Sequence, residues 1–157
     1  MGTQDRVKEE QLVIFQLADE FYGVDISRVQ EIDRMQSITI VPQVASFIVG
    51  IINLRGRITP VVDLRRRFGL PTIEPTPLTR IVVVKAGDEW VGMVVDAVFE
   101  VLRTASDAIE PPSAFVSTAE TAFLRGIAKL DNRLILLLDL DKVLDKHFQI
   151  TVPAMMS

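Results

Sequence analysis

Few side chains in this 157-residue chain are of a type and spacing that could do chemistry. The single histidine, His147, stands in Asp-Lys-His-Phe near the end of a helical pattern. A lone imidazole there supports a helix C-terminus or faces solvent sooner than it acts as a base. The carboxylate pairs Asp19-Glu20 and Asp88-Glu89 fall in hairpin turns, where acidic residues are ordinary solvated turn formers. Asp63 and Asp139 sit where a strand gives way to a helix, which suits a capping carboxylate better than a reacting one. No Gly-rich phosphate loop, no GxSxG elbow and no metal-spaced histidines occur, so neither a cofactor nor a metal is expected. Cysteine is absent, which excludes disulfide and thiolate chemistry. The run Arg65-Arg66-Arg67 reads as a solvated helix face that a partner could share.

One tract is harder to assign to scaffolding. In Asn53-Leu54-Arg55-Gly56-Arg57 the glycine permits a tight turn with positive φ, and asparagine is a common companion in turns. The turn does not need Arg55. A guanidinium fork held on a rigid turn suits a carboxylate on another protein.

The elements that position this tract come in two copies. GIINLRGRITPVVDL, from Gly50 to Leu64, returns as GIAKLDNRLILLLDL, from Gly126 to Leu140, at an offset of 76 residues. Gly50, Ile51, Leu54, Arg57, Asp63 and Leu64 are each matched by an identical residue. Upstream, Asp19-Glu20, Gly23, Val29 and Glu31 map onto Asp88-Glu89, Gly92, Val98 and Glu100 at an offset of 69, which leaves seven inserted residues between Glu100 and Gly126. Self-similarity over so long a period marks duplicated supersecondary units. Positions that stay alike after duplication are architectural: Gly23, Gly50, Gly92 and Gly126, with Asp63 and Asp139, are expected at turns and caps. Leu54 and Arg57 persist as Leu130 and Arg133, whereas Arg55 becomes Asp131 with reversed charge. A diverged position is free for function.

Short apolar segments dominate each copy. Leu12–Leu17 and Phe21–Ile26 flank one acidic turn, and Ile81–Val84 and Trp90–Val95 flank its repeat. Phe47–Leu54, Ile58–Leu64 and Leu134–Leu138 read as further strands, each copy ending in a short helical pattern (Leu64–Leu70, Leu140–Phe148). This implies a mainly β fold of small barrels or sandwiches. Ile81–Val84 and Leu134–Leu138 are apolar at every position, so their outer faces need cover from the sister half or form a groove for a partner. Half a chain of this length buries a marginal core, so the copies should lean on each other. The expected organisation is 11–70 for one half, a stiff Pro-rich connector at 71–78, and 79–148 for the other, with strand exchange between halves allowed. Residues 1–10 and 149–157 are expected to be flexible termini.

Composition narrows the function classes. Hydrophobic residues make up 48% and charged residues 24%, which suits a globular chain. The net charge of −4, and aromatics (one Trp, one Tyr, eight Phe) that fall mostly at strand positions expected in the core, argue against a single-stranded nucleic-acid groove, which needs basic tracks and exposed rings. No apolar run reaches membrane-span length, and MGTQDRVKEEQ at the start has no secretory core, so a cytosolic protein without membrane insertion is expected.

The Gly50–Leu64 tract closely resembles the signature of the CheW-like family of bacterial chemotaxis coupling proteins. Tyr22–Ile32 resembles that family's early hairpin and Trp90–Asp96 its second half, and the resemblance runs from about Gln11 to Lys146. It implies two pseudo-symmetric five-stranded SH3-like β-barrels packed together, with short helices after the last strand of each half. It implies a non-enzymatic adaptor, monomeric alone and part of a larger array in the cell. Such an adaptor joins the cytoplasmic tips of methyl-accepting chemoreceptors to the regulatory domain of the histidine kinase CheA and is recruited to membrane receptor clusters. Carried over by motif, Asn53, Leu54, Arg55 and Gly56 become receptor contacts. Val29 and Glu31 become coupling positions whose partner is unresolved. A stand-alone kinase-regulatory or CheV-like coupling domain is the neighbouring alternative.

Overall fold

The chain was analysed as a computed structural model that describes residues 8–42, 44–112 and 120–145. The first copy supplies β1 (Glu9–Leu17), β2 (Glu20–Asp25), β3 (Val29–Arg34), β4 (Ile48–Leu54), β5 (Arg57–Asp63) and helix α1 (Leu64–Arg67). The second supplies β6 (Arg80–Ala86), β7 (Glu89–Val95), β8 (Ala97–Ala105), β9 (Ile109–Glu110), β10 (Leu124–Leu130), β11 (Arg133–Leu138) and helix α2 (Leu140–Val143). The fold is mainly β, as expected. His147 and residues 149–157 lie outside the described residues. Glu9 and Glu10 do not belong to a loose terminus, because they pair with Ala105 and Thr104 at the start of β1.

Two sheets form, and neither respects the repeat boundary. One runs β8-β1-β2-β11-β10-β9 and the other β3-β6-β7-β5-β4. The segments 11–70 and 79–148 are therefore sequence copies, not barrels: each copy gives its first hairpin to the sheet that holds the last strands of the other. The seams are the two parallel pairings, β11 with β2 and β5 with β7. Short links force the exchange. One turn of 3-10 helix (Ile26–Arg28) separates β2 from β3, and Asp96 alone separates β7 from β8. At both places the chain passes from one sheet to the other with no room to turn back.

The strands without alternation make physical sense in this arrangement. In β1, Leu12 and Ile14 pack with Ala128, Ile135 and Leu137 inside the six-stranded sheet. Val13 and Phe15 point the other way, into a large central cluster between the sheets. In β6, Ile81 and Val83 fill the five-stranded sheet and Val82 and Val84 enter the same central cluster. These strands are buried on both faces, so every position is apolar. Removing one Val or Leu side chain from water stabilises by roughly 1.5–3 kcal/mol, and the central cluster draws such side chains from both copies. Leu134 departs from that pattern and is exposed on the outer face of β11.

The four repeated glycines lie inside strands rather than at turns. At Gly50 a Cβ would stand 2.1 Å from the Thr39 carbonyl oxygen, and at Gly126 2.5 Å from Ile109 Cγ2. Both follow a register shift at the same point of the repeat, where the chain crosses closely over β4 and β10. Gly23 and Gly92 sit within β2 and β7 under tight side-chain contact. The aspartates do cap: the Asp63 side chain accepts from the Arg65 N–H at 2.9 Å, and Asp139 from the Lys142 N–H at 3.3 Å.

The three arginines of α1 do not form a solvated face. Arg67 is only 6% exposed. Its Nε donates to the Val143 carbonyl at 2.8 Å and Nη2 to those of Lys142 and Asp145, closing the end of α2, while the guanidinium lies over Phe47 and Phe123. Arg65 grips Asp96 through Nε (2.9 Å) and Nη2 (2.6 Å). Only Arg66 is largely exposed. Three basic residues in a row suggested a surface patch, but a single turn of helix points successive side chains in different directions.

Candidate protein-docking face

The β4–β5 hairpin closes on a two-residue loop, Arg55-Gly56, between the paired residues Leu54 and Arg57. Both loop residues have positive φ, 53° and 83°. That is the turn whose twist matches its strands. Gly56 adopts it freely. Arg55 does so at a cost of about 1 kcal/mol, because an L side chain crowds the carbonyl in this region. The Asn53 side chain offsets part of the strain by accepting from the Gly56 N–H at 3.0 Å. The loop is thus held in one shape before any partner arrives.

From it Arg55 reaches across to β3. Its Nε donates to Glu31 Oε1 at 2.9 Å, with Arg55 71% and Glu31 17% exposed at the side chain. Among the described hydrogen bonds, Nε is the only donor of Arg55 in use. One bond orients the guanidinium and leaves its two terminal amino groups as an outward fork for a carboxylate. Two sequence-expected sets of residues therefore meet: Glu31 and the Asn53–Gly56 turn form one site. Val29 does not join it. It pairs with Val84 and packs half-buried against the central cluster.

Apolar surface flanks the turn on β5. Ile58 is 76% exposed, and a pocket of about 180 Å³ is lined by Thr39, Ile51, Ile52, Asn53, Gly56 and Ile58, while Ile32 is exposed on the opposite face of β3 from Glu31. Leu54, by contrast, is buried inside the five-stranded sheet, where it anchors the turn. Arg57 lies over the Trp90 ring at 4.2 Å, tying the hairpin to β7. The hairpin thus presents an exposed cation beside apolar surface, the composition of a candidate protein-docking face.

Asp33 is the residue that the sequence reading missed. It follows Glu31 by two along β3, so both side chains fall on the half-buried face of that strand. Burial, and then the Glu31 carboxyl beside it, push the Asp33 carboxyl up to about 6. Glu31 moves the other way, held below the usual carboxylate range by the Asp33 carboxyl beside it and by Arg55. The signal was present in the repeat: Asp33 aligns with Leu102, a polar residue where the other copy is apolar.

The fold and the face together define a tandem β-barrel scaffold that works by binding proteins. No group of His, Cys, Asp and Glu among the described residues could hold a metal. No helix among them is long and apolar enough to cross a membrane. The model of the CheW-like domain matches residues 11–148, and the chain belongs to that family, one of chemotaxis scaffolding proteins and not of enzymes. It is 37% identical over 138 residues to chemotaxis protein CheW of Klebsiella aerogenes, covering 88% of this chain and 83% of that one. Against chemotaxis protein CheW of Bacillus subtilis it is 36% identical over 138 residues, covering 88% of each. The solved structure of scaffolding protein TtCheW from Thermoanaerobacter tengcongensis superposes with a TM-score of 0.83 at 40% identity, over 92% of this chain and 99% of that one.

Proposed function

We propose that this chain couples the cytoplasmic tips of methyl-accepting chemoreceptors to the regulatory domain of the histidine kinase CheA. In this reading it is recruited to membrane receptor clusters and carries receptor occupancy to the kinase. The observation that carries it is the Arg55 fork: a strained, pre-set turn presents one arginine outward, tethered by Glu31, in one copy of a duplicated hairpin. A receptor tip that offers a carboxylate to this fork, and apolar residues to Ile58 and the pocket beside it, would be held there. An adaptor of this kind turns nothing over. It acts by binding the kinase's states unequally.

Arg55→Glu tests the contact. Glu31 loses its partner and gains a third carboxylate beside it, so the melting temperature should fall by roughly a few degrees with the fold kept, and binding is compared well below that temperature. Attraction to a partner carboxylate becomes repulsion, so receptor binding should weaken by about 2 kcal/mol. Wild-type binding should itself weaken as salt rises. Reconstitution of receptor, kinase and this protein, each omitted in turn, tests the coupling. Receptor control of autophosphorylation should vanish when this protein is left out. Full control without it, or unchanged receptor binding by Arg55→Glu, would remove the proposal.

A further inference from the structure

We propose that Glu31 and Asp33 together hold one shared proton, and that this proton sets how freely Arg55 can meet a partner's carboxylate. The second half of that statement rests on the docking role given to Arg55 above. The first half concerns the folded protein alone.

The geometry points to the proton. Glu31 Oε2 and Asp33 Oδ2 are both buried and both lack a hydrogen-bond partner, and they are the only such side-chain atoms among the described residues. Glu31 Oε1 is already taken by Arg55. Two carboxylates on the same face of one strand cannot satisfy each other, because both only accept. A single proton between them satisfies both oxygens at once and removes one of two neighbouring negative charges. The direction of both titrations agrees, with the proton resident on Asp33 and donated to Glu31.

No other charge nearby does this work. From β6 the residues opposite β3 are Val84, Val83, Val82 and Ile81, followed by Arg80 opposite Arg34 at the strand end. Arg80 spends its guanidinium on the Pro77 and Thr79 carbonyls. From the β4–β5 loop comes Arg55 alone. The other copy lacks the device, since Glu100 is followed two residues on by the partly buried Leu102.

With the proton in place, Glu31, Asp33 and Arg55 sum to zero charge. Without it they sum to minus one, which both draws Arg55 back toward β3 and repels an approaching carboxylate. Both effects weaken docking as pH rises. The stability sign follows from the same proton. The native pair keeps it up to about pH 6, whereas an unfolded aspartate gives it up near 3.8. The native state therefore binds more protons between those values, and its stability falls as pH rises through that window.

The test begins with this protein alone. Thermal unfolding of the wild type and Asp33→Asn is followed from pH 4.5 to 8, with the Asp33 side-chain carboxyl observed by carbon NMR. An amide at this position supplies the missing donor permanently. Asp33→Asn should therefore gain several degrees over the wild type at pH 8, with the gap closing toward pH 4.5, and the wild-type Asp33 carboxyl should titrate near 6. Glu31→Gln provides a second variant, in which Asp33 should titrate lower than in the wild type while burial still holds it above its ordinary range. An Asp33 that titrates near 4 in the wild type, or a melting difference independent of pH, would overturn the shared proton. Binding of a receptor-tip fragment should then weaken on the order of fivefold between pH 5.5 and 7.5 in the wild type, and less so in Asp33→Asn. Equal pH dependence in the two would overturn the control of Arg55. If Asp33 titrates as stated but Arg55→Glu binds receptor normally, the docking role has failed and the proton pair stands.

Discussion

The two β-hairpin turns, Arg55-Gly56 in the first copy and Asp131-Asn132 in the second, share a backbone and differ in charge. All four residues have positive φ. Each hairpin is followed by an arginine that stacks on the ring of an exchanged strand: Arg57 over Trp90 and Arg133 over Phe21, at equivalent points of the repeat. The register shifts match too, between Val29 and Glu31 on β3 and between Glu100 and Val98 on β8. What changes is the ion pairing. Glu100 is met by Arg133 at 3.4 Å, the residue matching Arg57, whereas Glu31 is met by Arg55. The second copy uses its conserved arginine for both jobs. The first has added a new arginine and an extra aspartate, and so presents a charged fork that its sister does not. Duplication kept the frame twice, and the charge carried by the turn differs between the copies.

A second pair of contacts teaches the same lesson about polarity. Helix α1 is tied down by Arg65 to Asp96, and α2 by Asp141 to Arg28, with the signs exchanged. In the first pair Arg65 is 12% and Asp96 19% exposed, the contact is bidentate, and Asp96 is shared with the Ala18 N–H, which donates to Oδ2 at 2.8 Å. Burial alone would raise the Asp96 carboxyl, but the bonds from Arg65 and Ala18 bring it below its ordinary range. The second pair is open to water, with Asp141 77% exposed.

The largest test of the comparison is to separate the copies. Cleaving the chain in the Pro-rich connector should leave neither piece folded alone, because each sheet would lose strands that form its core. Circular dichroism and analytical ultracentrifugation of the two pieces would check this, and two independently folded monomers would contradict it. Next in size is the contrast between the ion pairs. Asp96→Ala leaves Arg65 and the Ala18 N–H without an acceptor and should cost about 2 kcal/mol in denaturant unfolding. Asp141→Ala should stay within about 0.5 kcal/mol. Equal costs would mean that the two junctions are held alike. The smallest effect separates the turns themselves. Gly56→Ala forces a Cβ into positive φ and should cost about 1 kcal/mol, while Asn132→Gly should change stability by no more than a few tenths, since asparagine already tolerates that region. Urea midpoints of the two variants would show whether both loops carry the same strain.

The sequence by itself determined the duplication, the β class, the capping aspartates and the singular arginine of the turn. Each of these is written in local pattern: a repeat offset, an apolar run between turn formers, an Asp before a helical segment, an unmatched charge in an otherwise matched tract. Tertiary structure alone decided the rest. Which hairpin joins which sheet depends on pairings between residues far apart in the chain, as when Leu136 meets Tyr22 and Val61 meets Gly92. No local period encodes that choice. It was made because short links at Ile26–Arg28 and Asp96 send each chain across to the other sheet, and because strands apolar on both faces must be covered on both. The same distance explains the charges. Arg67 looked like surface until Val143 and Phe123 closed over it, and Asp33 drew no notice until folding set it beside Glu31 and Arg55 with one oxygen buried. A charge takes its chemistry from what folding brings near it, and that is settled only when the chain has closed.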